Sequence, residues 1–234
     1  MLQLLGFTFI YIVYLTIWIN KTPTFKQTYS VQKTFLLSTS GKTFFIVSLA
    51  LLSFLCQQKN ILADFGFQQG LSFKYVLIGL AIGVGLLFLF FLIGGLLQHF
   101  LKNQEKTANT FFQSFPPNTA YLWILLLAIQ ASTLEEPIFR GYLLNLLVKI
   151  IPIGAAVFIQ ALLFGIAHFK QGLHGILQNT LIGLIWGILV ITFNSLLVSI
   201  AAHFAIDWLG LTLQYWTWSK KATTLPQNKT PTES

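Results

Sequence analysis

Three short segments carry residues able to do chemistry. Glu135-Glu136-Pro137-Ile138-Phe139-Arg140 puts two carboxylates and a guanidinium inside an apolar stretch. Phe164-Gly165-Ile166-Ala167-His168 adds an imidazole one helical turn beyond an aromatic ring, and His203-Phe204-Ala205-Ile206-Asp207 adds a second imidazole with a carboxylate four residues on. Glu136 and Arg140 are also four apart, so on a helix they are neighbours and can neutralise each other. Glu135 points about 100° away from that pair and has no helical counter-ion, which suits a general base or acid working near neutrality. Pro137 lacks an N–H, frees a backbone carbonyl and bends the helix. Two histidines and two carboxylates from three separate spans can converge on one point, where they would activate a water and stabilise a tetrahedral oxyanion, directly or through a bound metal.

Each segment also has a plainer reading. Ser132-x-x-Glu135 and Thr133-x-x-Glu136 both fit a capping box that starts a helix. A histidine ending a span, as His168 does, can be interfacial, and His203 with Asp207 can be a structural hydrogen-bonded pair. His99 and His174 sit beside loops and take no role. What sets the three segments apart is the chain around them: 234 residues, 55% apolar and only 9% charged, where a soluble domain carries about 25% charged residues. An ionisable side chain near the bilayer centre costs at least about 2.5–3.5 kcal/mol on insertion scales. Three of the six acidic residues, Glu135, Glu136 and Asp207, lie in such surroundings.

The elements that must position these residues are membrane helices. Mean hydropathy is +0.74, and several apolar runs approach the 18 or so residues a membrane-spanning helix needs. The expected runs are 2–19, 44–56, 75–97, 120–151 (interrupted by the charged segment), 153–169, 176–193 and 196–216. The fold class is therefore an all-α, polytopic helical bundle of about seven transmembrane helices. Residues 20–43, with Lys21, Lys26, Lys33 and Lys42, read as a polar loop. Residues 57–73 read as an interfacial stretch, 98–118 as a polar loop ending at Pro116-Pro117, and 217–234 as a polar disordered tail. The first run lacks a basic n-region and a cleavage site of small residues, so it reads as a retained span. Glycines at 79, 83, 85, 94 and 95 provide for close helix approach. The single cysteine, Cys56, excludes an intrachain disulfide framework. The net charge of +8 does not indicate nucleic acid, because the lysines lie between the apolar runs. Lysine bias puts the N-terminus outside and the C-terminus in the cytoplasm of a cell-membrane protein.

EExxxR, FxxxH and HxxxD, in that order on apolar spans, resemble the motifs of the CPBP or ABI family of intramembrane proteases, related to the type II CAAX prenyl endopeptidases. The resemblance covers roughly 119–210, within a core domain of 119–216 preceded by N-terminal helices and loops over 1–118. Asp64-Phe65-Gly66-Phe67 is similar to a short segment that bacterial members carry upstream. The resemblance implies that Glu135 activates the attacking water with His168 assisting. It also implies that His203 and Asp207 stabilise the oxyanion and that Glu136 and Arg140 hold the site together. Many CAAX-type members have asparagine at the last position; an ionised Asp207 cannot donate to an oxyanion as an amide can, so it is protonated, orients His203, or helps hold a metal. A divalent metal such as zinc, if used, would take His168, His203 and Asp207; no HExxH is present. The expected partners are the bilayer and a peptide or membrane-anchored protein substrate, and bacterial relatives extend the range to bacteriocin self-immunity and peptide maturation. A non-catalytic immunity or peptide-binding protein is the alternative, followed by a small transporter, which the lack of an inverted repeat disfavours.

Overall fold

The computed structural model describes residues 2–21, 30–56, 61–67, 72–97 and 111–224, and among them every regular element is helical. In chain order these are α1 (Leu2–Lys21), α2 (Val31–Leu55), a single turn α3 (Ile61–Asp64), α4 (Phe73–Leu97), a 3-10 turn (Pro117–Thr119), α5 (Ala120–Glu136), a π-helical segment (Pro137–Leu143) closed by the turn Leu144–Leu147, α6 (Ile153–Ala167), a second 3-10 turn (Phe169–Gln171), α7 (Gly172–Phe193) and α8 (Leu196–Thr224). Val31–Leu55, Phe73–Leu92, Pro117–Leu147, Phe169–Phe193 and Leu196–Lys221 are long and apolar enough to cross a membrane, and Ile153–Ala167 is a shorter apolar helix. With α1 they account for the expected seven or so spans. Large side chains such as Phe88 and Phe91 of α4 stay exposed, which in hydrocarbon carries no hydrophobic penalty.

Two boundaries differ from the sequence reading. The polar loop expected over 20–43 is helical from Val31, because Ser30 caps α2 by accepting from the backbone N–H of Lys33 at 3.4 Å. Lys42 therefore sits inside a 25-residue helix, buried, and cannot count toward loop charge. The last helix runs on through Lys220 and Lys221 to Thr224, past the expected end at 216. Lys26, His99 and residues 225–234 lie outside the described residues, as do 98–110.

Small residues set the helix contacts. Gly83 of α4 lies where an added Cβ would come within 2.5 Å of the Ala202 carbonyl oxygen and 2.8 Å of the Ala205 side chain, and Gly79 makes the same approach to Val198 one turn earlier. Close backbone approach of this kind is how membrane helices associate without a hydrophobic driving force between them. The α5 rod changes register at Pro137. A proline there cannot donate to the preceding turn, and the chain continues with wider i to i+5 bonds, ending with the Leu144 N–H donating to the Phe139 carbonyl. Every side chain from Pro137 to Leu143 is buried, so this segment is enclosed by protein on all sides. Gly141 is required within it, because the Phe65 carbonyl occupies the place a Cβ would take. Phe65 also packs its ring on Tyr142, centroids 5.3 Å apart, so the Asp64–Phe67 stretch braces the π segment from the side.

The apolar core around that segment includes Phe7, Tyr11, Phe45, Ile138, Phe139, Tyr142 and Phe164. Tyr11 reaches across to donate to the Leu163 carbonyl at 2.5 Å, which fixes α1 against α6. Helix α6 has 15 residues, about 22 Å at the usual rise, against a hydrocarbon core of about 30 Å. His168 is the C-terminal cap of this helix, which is shorter than a full crossing.

Candidate active site

Glu135 and Glu136 lie in the last turn of α5, immediately before the π segment. The capping-box reading of this region does not hold. The Ser132 hydroxyl donates to the Ala128 carbonyl at 2.9 Å and that of Thr133 to the Ile129 carbonyl at 2.6 Å, both one turn back inside a continuing helix. The two carboxylates are adjacent in sequence and face different surroundings, which separates them into two linked clusters.

Glu136 is fully buried and anchors the first. Its Oε1 accepts from Arg140 Nη1 at 3.0 Å and from His203 Nδ1 at 2.8 Å. The other nitrogen of His203 stands 3.3 Å from Asp207 Oδ2. The Arg140 guanidinium lies over the Phe164 ring, 4.1 Å from its centroid, and Trp186 stacks on His203 at 6.2 Å. Phe164 therefore has a reason to stand four residues before His168: one ring supports the guanidinium by cation–π contact and meets the His168 ring edge-on at 4.7 Å. The four-residue spacings of Glu136 with Arg140 and of His203 with Asp207 are both realised as contacts.

Glu135 anchors the second cluster, and here the structure corrects the sequence. Glu135 has a counter-ion: its Oε1 pairs with Lys42 Nζ of α2 at 2.5 Å, with both side chains about nine-tenths buried. The other oxygen, Oε2, lies 4.0 Å from His168 Nε2. His168 Nδ1 is 2.8 Å from the Phe164 carbonyl. A carbonyl only accepts, so Nδ1 carries a proton, and Nε2 is the nitrogen that presents a lone pair when the ring is neutral. Glu135, His168 and Lys42 line a cavity of about 210 Å³ with apolar walls from Phe45, Ile138, Phe139 and Ala167. His203 and Asp207 do not line it. Of the expected convergent set, then, Glu135 and His168 share the cavity, while His203 and Asp207 belong to the chain that starts at Glu136.

Charges balance across the two clusters. Lys42, Arg140 and a His203 with both nitrogens on carboxylates face Glu135, Glu136 and Asp207. The sequence conceals Lys42 among Ser38, Thr39, Ser40 and Thr43, a polar run that reads as part of a loop. The signal that would have found it is the Ser30 cap, which starts the helix early enough to place Lys42 at its middle. Gln130 is concealed too: alone among apolar neighbours, it donates to Ser38 Oγ at 3.0 Å, one turn from the Lys42 contact.

The donor set does not fit a metal as it stands. Both nitrogens of His203 are engaged with carboxylates, so neither offers a lone pair while those bonds persist. The carboxylate nearest His168 already holds an ammonium. Among the described residues no three His, Cys, Asp or Glu side chains come together as a metal-binding group.

Residues 117–209 match the model of the family described as "Type II CAAX prenyl endopeptidase Rce1-like". The matched stretch runs from the start of α5 through Asp207 and so contains all three motifs, which bears out the resemblance read from them. Neither the curated proteins nor the solved structures contain a significant match to the chain. The apolar helices support a multi-pass membrane protein, and its matched stretch is similar to the core of a membrane-embedded protease family.

Proposed function

We propose that this protein is an intramembrane endopeptidase in which Glu135 and His168 activate one water against a peptide bond. The observation that carries the reading is the pair of atoms on the cavity wall, Glu135 Oε2 and His168 Nε2, 4.0 Å apart. A water oxygen about 2.8 Å from each acceptor spans roughly 4.4 Å between them, close to this separation. Such a water donates one proton to each side and keeps its lone pairs free for attack. A carboxylate and an imidazole sharing a water is general-base catalysis, and the imidazole that takes the proton is placed to return it to the leaving amine.

His203 is the residue we assign to the oxyanion, a role that requires the substrate carbonyl to reach beyond the cavity lining, which His203 does not join. Glu136 fixes its Nδ1 at 2.8 Å, while the contact of Nε2 with Asp207 is longer, at 3.3 Å. The shorter charge-assisted bond that an oxyanion makes can replace that contact. Asp207 then orients the ring, and Glu136 with Arg140 holds it from behind. The apolar walls suit a hydrophobic side chain next to the scissile bond. The cavity also carries Ser38, Lys170 and Gln171, and the substrate class is a membrane-associated peptide or protein, which takes in CAAX-type processing, peptide maturation and bacteriocin self-immunity. Because the donors do not fit a metal, the assignment is to the glutamate type. The test is cleavage of a broad peptide library by the full chain in nanodiscs, with Glu135→Gln alongside. Cleavage lost in the variant and kept in chelator supports the reading; equal cleavage by both proteins overturns it.

A further inference from the structure

Lys42 belongs to none of the three motifs and lies outside the stretch that matches the family, yet it makes the shortest ion pair at the site. The groups facing Glu135 come from several elements: Tyr14 of α1, Lys42 of α2, Arg140 of the π segment, His168 at the end of α6 and His203 of α8. Lys42 is the one among these that holds a Glu135 oxygen directly, at 2.5 Å. It also lines the cavity beside that oxygen. One turn earlier on α2, Ser38 accepts from Gln130 of α5 in a second buried polar contact. Two such contacts, four residues apart on α2 and five apart on α5, fix the register of the two helices, because shifting either would leave a buried charge or amide unpaired.

We infer that Lys42 is a positioning residue for Glu135: its ammonium holds one carboxylate oxygen so that the other faces His168, and helix α2 is thereby a component of the site. With Oε1 occupied, only Oε2 is left to take a proton from a water. An ammonium in contact also keeps the carboxylate ionised where an apolar wall would favour the neutral acid. The catalytic consequence rests on the proposed function; the effect on the ionisation of Glu135 does not.

Two measurements on the full chain in nanodiscs separate these. Infrared spectra near neutral pH read the protonation of Glu135 without any substrate. Lys42→Met should show a carboxylic-acid C=O stretch that is missing from wild type and from the double variant Lys42→Met/Glu135→Gln, and Lys42→Arg should not show it. Lys42→Gln, which keeps a hydrogen-bond donor without the charge, serves the same comparison if the methionine variant does not fold. Absence of the new band overturns the inference, whether or not the protein cleaves peptides. On a cleaved library peptide, Lys42→Met should lower kcat about tenfold or more with KM nearly unchanged, and Lys42→Arg should restore most of it. Ser38→Ala, which loosens the same helix contact, should leave the infrared spectrum at wild type. If Ser38→Ala produces the acid band as Lys42→Met does, Lys42 acts only by docking α2 and the inference fails.

Discussion

Replacing Arg140 by methionine tests the buried chain on which His203 depends. The guanidinium and the Glu136 carboxylate are both fully buried and 3.0 Å apart. Methionine fills much the same volume as the arginine stem, so little cavity is created and the loss is mainly electrostatic. Glu136 keeps one partner, His203, while its second oxygen has no protein hydrogen bond. Removing one partner of a buried ion pair costs about 3–5 kcal/mol, because the charge left behind is uncompensated. The contact with Phe164 adds at most about 2 kcal/mol to that figure. The assay is reversible unfolding in mixed micelles by rising mole fraction of a denaturing detergent, followed by helicity. Arg140→Met should lose about 3–5 kcal/mol. Arg140→Met/Glu136→Gln, with both charges gone, should recover at least about 2 kcal/mol of the loss through pairwise coupling. A single variant within about 1 kcal/mol of wild type, the range of exposed ion pairs, would refute the reasoning. So would a double variant no better than the single.

Other outcomes follow from the same structure. Glu135→Gln should reduce cleavage by about 10²–10⁴-fold, the usual contribution of a general base, and should also lower stability by up to about 3–5 kcal/mol, because it leaves the buried Lys42 ammonium without its carboxylate; steady-state kinetics and unfolding on one preparation check both. Asp207→Asn keeps a hydrogen-bonding partner for His203 and should stay active, whereas Asp207→Leu should lose about tenfold or more; equal loss in both would show that the charge matters. Gly83→Val drives a side chain into Ala202 and Ala205 and should cost about 1–3 kcal/mol by overpacking. Gly85→Val, whose Cβ meets nothing within 4 Å, should be close to neutral in the same unfolding assay.

The fold was legible where hydropathy reports burial in lipid. Length, the scarcity of charge and the apolar runs lead directly to a helical bundle of about seven spans. The pairs Glu136 with Arg140 and His203 with Asp207 were legible for a related reason, since each is four residues apart on one helix and spacing alone decides the contact. Lys42 with Glu135 was not, because residues 93 positions apart in sequence meet only through the docking of α2 on α5. Hydropathy also misleads here: a lysine flanked by serine, threonine and glycine lowers the local average and hides the first turns of α2, which begins at Val31. Pro137 pointed to a bend, and the helix answers with a buried π segment from Pro137 to Leu143, packed from the side by Phe65. The division of the ionisable residues into a cavity pair and a buried chain likewise lies in the rotation of α5 relative to α6 and α8, which no motif spacing encodes.

The central claim is that Glu135 and His168 act on one shared water. A double-mutant cycle on kcat/KM tests it most directly, using Glu135→Gln, His168→Asn and the double variant with one library peptide in nanodiscs. Residues that act as a unit give grossly non-additive losses, so the double variant should be no slower than the worse single variant to within about threefold. Losses that multiply across the cycle would mean that the two side chains act independently, and would contradict the account.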